Sequence, residues 1–156
     1  MRISLDLDDT LIFKTVEGPV DDSLPPLKRS YIEEKLRAGT RELMQALAQR
    51  GHEIWIYSNS YRGKSELLRW FQECGLPVTD VVNQQLHELK RSELGTQISG
   101  PIKFPPWFDI DVHIDDSVEI EADGRQHGFK VIRVDPDDAD WVATVLAAMD
   151  AIERAR

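Results

Sequence analysis

With 156 residues, 41% hydrophobic and 30% charged, the chain has the size and composition of one folded domain, which excludes a disordered segment. Its 19 basic and 28 acidic residues leave a net charge of −9, which speaks against nucleic acid as a partner, because duplex binding relies on basic side chains. The single cysteine, Cys74, cannot form an internal disulfide, no apolar run reaches the roughly 20 residues that span a bilayer, and Asp6 breaks the first apolar stretch too early for a signal peptide. The expectation is a cytoplasmic protein with no membrane partner. One local basic feature stands out, since Lys28, Arg29, Lys35, Arg37 and Arg41 face only Glu33 and Glu34.

Residues 2–7 read as a strand buried on both faces. Residues 10–38 lack sustained periodicity; a small hairpin is expected around Glu17 and Gly18, and "SLPPLK" breaks any continuing element. "GTRELMQALAQRG" predicts a helix from about 40 to 50 that Gly51 stops, and "HEIWIYS" a second strand ending near Ser58. Ser60 is placed as the cap of a helix over about 61–74, and "PVTDVV" as a third strand. Residues 84–94 read as helix. A loop rich in Gly and Pro then runs from Gly95 to Pro106 into "DIDVHIDDS", where Ile110, Val112 and Ile114 alternate as in a strand. "FKVIRV" is a fifth strand, and Val142, Val145, Leu146, Met149 and Ile152 stripe a last helix over about 138–154.

Strands alternating with helices imply an α/β fold: a three-layer, Rossmann-like open parallel sheet with helices on both faces. The whole chain, 1–156, is expected to form one domain, with a small flap or minimal cap around 14–38. Right-handed crossovers place successive strand ends on one edge, where open α/β sheets bind ligands. Three polar clusters fall at those ends: Asp6 to Thr10, Ser58 to Ser60, and Asp115 to Ser117.

"DLDDT" matches the Asp-x-Asp-x-Thr signature of the haloacid dehalogenase-like hydrolase superfamily at Asp6, Asp8 and Thr10. "IWIYSNS" resembles its second motif at Ser58, and "VHIDDS" its fourth at Asp115 and Asp116. The resemblance covers nearly the whole chain and implies phosphoryl transfer with Mg2+. Carried over, it makes Asp6 the nucleophile and Asp8 the acid for the departing oxygen and then the base for water. Asp115 would bind metal with Asp6 and the Asp8 main-chain carbonyl, and Asp116 would orient that shell. Ser58, Asn59 and Thr10 are the phosphate-binding candidates; Thr10 is also suited to bracing its loop and Asn59 to capping its own.

The residues support that chemistry in their own right. A carboxylate attacking a phosphate monoester meets anionic repulsion, which a hard oxygen-seeking ion offsets, and crowded acids raise one another's pKa. Spacing i, i+2 keeps Asp6 and Asp8 on one side while the strand persists, and leaves Asp9 to anchor the turn. A lysine is also wanted to hold transferring oxygens: Lys103 is the choice and Lys90, inside a helix, its rival. The histidines His52, His87, His113 and His127 have no metal-ligand spacing and read as ordinary packing residues, as does Trp107.

Three alternatives are weighed. A phosphorylation-controlled receiver domain would carry its acceptor Asp at the end of the third strand. An inactive binding protein would be expected to have lost Asp6 or Asp8. A dehalogenase would need no leaving-group acid, so Asp8 favours phosphate esters. The short flap fits a phosphorylated small molecule, or else a phosphorylated end of a macromolecule.

Overall fold

The computed structural model describes residues 1–95 and 100–156; residues 96–99 of the expected loop lie outside the described residues. Five parallel strands form the central sheet: β1 (Arg2–Leu5), β4 (Glu53–Tyr57), β5 (Val78–Val82), β6 (Val112–Asp115) and β7 (Lys130–Arg133). Their order is β5-β4-β1-β6-β7, with every neighbouring pair parallel. Counted along the sheet strands alone, this is 3-2-1-4-5, so the connection changes direction between β1 and β6. A receiver domain orders its strands 2-1-3-4-5, with the third strand beside the first. Here that strand, β5, is at the sheet edge, and its Asp80 pairs with Lys64 at 2.8 Å.

Helices α1 (Thr40–Gln49), α2 (Lys64–Glu73), α3 (Gln84–Glu93), α4 (Val118–His127) and α5 (Trp141–Arg154) cover both faces. Period-two alternation sorts the strand residues between them. Ile3, Leu5, Ile54, Ile56, Val112 and Ile114 enter the larger apolar cluster, with Leu43 and Leu47 of α1, Leu67 and Phe71 of α2, and Val145 and Met149 of α5. The opposite face carries Trp55 and Tyr57 of β4, packed with Val82, Ile110, Leu86 of α3 and Phe108. On that same face the alternation places Ser4 of β1 and His113 of β6, register partners across the ladder. Both faces of β1 and β6 are therefore buried, yet one of them is polar.

Several boundaries differ from the sequence expectation. The hairpin forms from β2 (Leu27–Arg29) and β3 (Ile32–Glu34), antiparallel, and not around Glu17 and Gly18. Its two-residue turn puts Ser30 in the left-handed region at φ 52°. Gly18 instead lets the Phe13 ring lie against the backbone, since a Cβ there would meet the ring at 2.3 Å. Helix α2 begins at Lys64 after Gly63, so Ser60 does not cap it. Helix α5 begins at Trp141, because Asp135 and Asp138 use their carboxylates to turn the chain, accepting from the amides of Asp137 and Asp140. The expected basic feature is largely neutralised. Arg29 pairs with Glu34 and Glu66, and Lys35 with Asp22. Arg37 is buried between the Phe13 and Trp141 rings and donates to the carbonyls of Thr10, Asp135, Pro136 and Asp138. Among the described residues no helix is long and apolar enough to cross a membrane.

Candidate active site

Asp6 follows β1 directly, on the same side as Ser4, and its amide donates to the Ile114 carbonyl at 2.9 Å. That bond extends the β1–β6 ladder by one residue and brings Asp6 beside Asp115 at the point where the strand order reverses. In open α/β sheets this crevice is the ligand-binding place. One carboxylate oxygen each from Asp6, Asp115 and Asp116 lies within 4.8 Å of the others, a hard all-oxygen donor set of the kind a divalent cation takes. With this order the fold is a Rossmann-like open parallel sheet, and these acids meet at its switch point.

Lys103 reaches the acids from the loop preceding β6. Its ammonium is buried and donates to Asp6 Oδ1 at 2.8 Å and to Asp115 Oδ2 at 2.6 Å. A 3-10 turn over Pro105–Phe108 follows it, and the Phe104 amide donates to Tyr57 Oη at 3.0 Å, which fixes the loop to β4. Lys90 is elsewhere, on α3, lining a cleft with Trp55, Lys64 and Asp80. Trp107 packs on Phe104 and His87.

Thr10 ties the first and third polar clusters together. Its hydroxyl lies 3.3 Å from Asp6 Oδ2 and 3.1 Å from Asp116 Oδ1, and it accepts from the Asp116 amide at 3.1 Å. Ser58 is buried at the end of β4, where its Oγ accepts from the Ser60 amide and donates to the Ser60 hydroxyl. Asn59 is exposed beside it. Asp9 adopts φ 60°, a conformation Asp tolerates, and its carboxylate accepts from the Lys14 and Thr15 amides and the Thr15 hydroxyl. These bonds hold the turn and lower its pKa.

Asp8 has a partner that its spacing does not predict. The strand ends at Leu5, so alternation does not govern its side chain. Its carboxylate is gripped by Arg62, with Nη2 to Oδ1 at 2.8 Å and Nη1 to Oδ2 at 3.3 Å. No spacing rule links positions 8 and 62, so Arg62 carries no signal that sequence reading could find. His113 was also missed, because its alternation with apolar neighbours hid a polar face. It is fully buried, with Nε2 at 2.8 Å from Asp115 Oδ2 and Nδ1 at 2.7 Å from Ser4 Oγ. Burial and the neighbouring Lys103 lower its pKa and keep it neutral, so Nε2 carries the proton given to Asp115 and Nδ1 accepts from Ser4.

Charge is unevenly shared in this cluster. Burial pushes the Asp6 pKa up to about 7, with Asp115 adding to the rise and Lys103 opposing it. Burial would raise Asp115 as well, but Lys103 and His113 outweigh it and hold that carboxyl well below the usual range. Asp116 is raised by partial burial and by Asp115.

No family model and no curated protein matches the chain. Among solved structures, a proposed 3-deoxy-D-manno-octulosonate 8-phosphate phosphatase from Vibrio cholerae is similar at 16% identity and a TM-score of 0.42, over 91% of this chain and 69% of that one.

Proposed function

We propose that the chain is a phosphomonoester hydrolase working through an aspartyl-phosphate on Asp6. The observation that carries this reading is the buried Lys103 ammonium bridging Asp6 and Asp115, with Asp116 completing the oxygen set at the switch point. The donor chemistry fits Mg2+, which Asp6, Asp115 and Asp116 would hold, joined by the Asp8 main-chain carbonyl as the resemblance implies. When bound, it offsets the repulsion between a carboxylate and a phosphate dianion.

The side chains do the rest. Asp6 Oδ attacks phosphorus, and the ester oxygen leaves with a proton from Asp8. Asp8 then takes a proton from the water that cleaves the acyl phosphate, restoring Asp6. Lys103 spans the nucleophile and the transferring oxygens, so positive charge is fixed where negative charge builds up. Thr10 holds Asp6 against Asp116 through one hydroxyl, and Ser58 and Asn59 offer donors to the phosphoryl group. His113 steadies Asp115 from beneath. The substrate class this favours first is a phosphorylated small molecule, with a phosphorylated macromolecular end second.

The test is hydrolysis of an aryl phosphate with and without Mg2+, in the wild type and in Asp6→Asn. Turnover should require the ion and should fall at least about a thousandfold in the variant, as when other nucleophiles are removed, while circular dichroism stays unchanged. An Asp6→Asn protein with full activity would refute the nucleophile. A panel of phosphorylated metabolites, peptides and oligonucleotide ends then ranks the substrates.

A further inference from the structure

Arg62 stands on the loop between β4 and α2, and its side chain is only 1% exposed. Its guanidinium serves two carboxylates from different parts of the chain. One side holds both oxygens of Asp8; on the other, Nε and Nη2 reach Glu34 Oε1 and Oε2 at 2.9 and 2.5 Å. The Arg62 carbonyl accepts from Asn83 Nδ2 at 3.0 Å, and Asn83 in turn caps α3 through its Oδ1. The arginine is thus fixed at its backbone and spent at its head. A planar fork suits two carboxylates at once, which a lysine cannot match.

Glu34 ends β3, so one side of the fork belongs to the hairpin. Of the six hairpin strand residues only Leu27 is fully buried, and Tyr31 and Ile32 at the turn are exposed. The hairpin joins the body through Leu27 at its root, through Glu34 on Arg62 and, more loosely, through Arg29 on Glu66 of α2. Beside this junction opens a cleft of about 420 Å³ lined by Phe13, Lys14, Ile32, Glu34 and Arg62. Lys14 also approaches Asp8, at 3.8 Å from Oδ2.

We propose that Arg62, braced by Glu34 of the hairpin, is a positioning residue that sets the Asp8 carboxylate against the leaving group. This rests on the reading of Asp8 as the proton donor. Arg62 touches no reacting atom; it fixes the orientation of one that does. The hairpin, through Glu34, is part of the alignment and not merely a roof.

Two measurements decide it. The first needs no activity: a double-mutant cycle of Asp8→Asn and Glu34→Gln, read as urea unfolding. Two carboxylates cannot hydrogen-bond to one another, so a coupling that Arg62 carries must vanish when Arg62 is removed. The expected result is non-additivity of about fivefold in the unfolding constant, lost in an Arg62→Met background. Additivity with Arg62 present, or a favourable coupling that persists without it, overturns the brace; bare repulsion between the two carboxylates has the opposite sign. The second compares an alkyl phosphate with 4-nitrophenyl phosphate in Mg2+. Glu34→Gln and Arg62→Lys should lower kcat about tenfold for the alkyl ester, less for the activated one, and leave KM nearly unchanged. Equal losses on both esters reduce Arg62 to a structural tether and overturn the proposal. A wild type inactive on both esters overturns the hydrolase reading alone, and the cycle then decides the brace by itself.

Discussion

Lys103 shows how much depends on one buried charge. It is the only cation bonded to both Asp6 and Asp115 among the described hydrogen bonds, and all three groups are sheltered from water. Breaking a buried pair from one side leaves uncompensated charge and costs about 3–5 kcal/mol. Lys103→Met keeps the length of the side chain and removes its charge, so urea denaturation should show a loss of that order, together with loss of turnover. Lys90→Ala removes a lysine on the α3 surface and should stay within about 0.5 kcal/mol. Comparable effects of the two substitutions would remove Lys103 from the centre of the site. The acids were legible because a strand end followed by Asp-x-Asp, and another followed by Asp-Asp, carry their chemistry in local spacing. Arg62 and Glu34 were not, since their meeting spans 28 residues and depends on where a hairpin folds back. His113 was obscured by a different cause. A polar residue in a strand buried on both faces leaves the apolar alternation intact, so its partners Ser4 and Asp115 emerge only from the register.

At the scale of elements, strong periodicity was reliable and turn chemistry was not. Helix α1 lies where the Leu43 and Leu47 stripe put it, and the five parallel strands follow the apolar runs. The hairpin was misplaced because its turn contains neither Gly nor Asn, while Gly18, the obvious signal, makes room for an aromatic ring. Helix α3 is the most dependent on a polar contact. His87 is its one fully buried residue, placed with Nδ1 at 2.6 Å from Tyr57 Oη and Nε2 at 3.1 Å from Arg91 Nη2. Arginine only donates, so Nε2 accepts and Nδ1 carries the proton given to Tyr57. Burial, with Arg91 adding to it, pushes the His87 pKa down to about 4. Unfolded, the imidazole takes its proton near pH 6.5, whereas the folded chain resists until about 4. The unfolded state therefore binds more protons between those values. Stability is fully present above about 6.5 and falls as pH drops toward 4, by at most about 3 kcal/mol from this group. In His87→Gln that part of the slope should vanish, so urea midpoints of the two proteins should converge on acidification. Parallel curves from pH 7 to 4 would show that His87 is not held neutral.

For the molecule as a whole, a net charge of −9 means that any added salt weakens self-repulsion and stabilises the fold somewhat. A specific cation site must be separated from that background. The acids at the switch point supply the separation, because Asp6, Asp115 and Asp116 converge at one sheet edge while many other carboxylates are spread over ion pairs such as those of Arg50, Lys35 and Arg125. An ion that binds only the folded chain stabilises it by RT ln(1 + [L]/Kd), about 2.7 kcal/mol at a hundredfold excess over Kd. For a chain of this length each kcal/mol moves Tm by about 2–4 °C. MgCl2 should therefore raise Tm by about 5–10 °C beyond KCl at matched ionic strength. Asp115→Asn should lose that excess and keep the shift that KCl produces, since the background depends on net charge and the excess on the cluster. If wild type and variant gain equally from MgCl2, the three acids are not a cation site. The hydrolase reading would then lose the charge that lets one anion approach another.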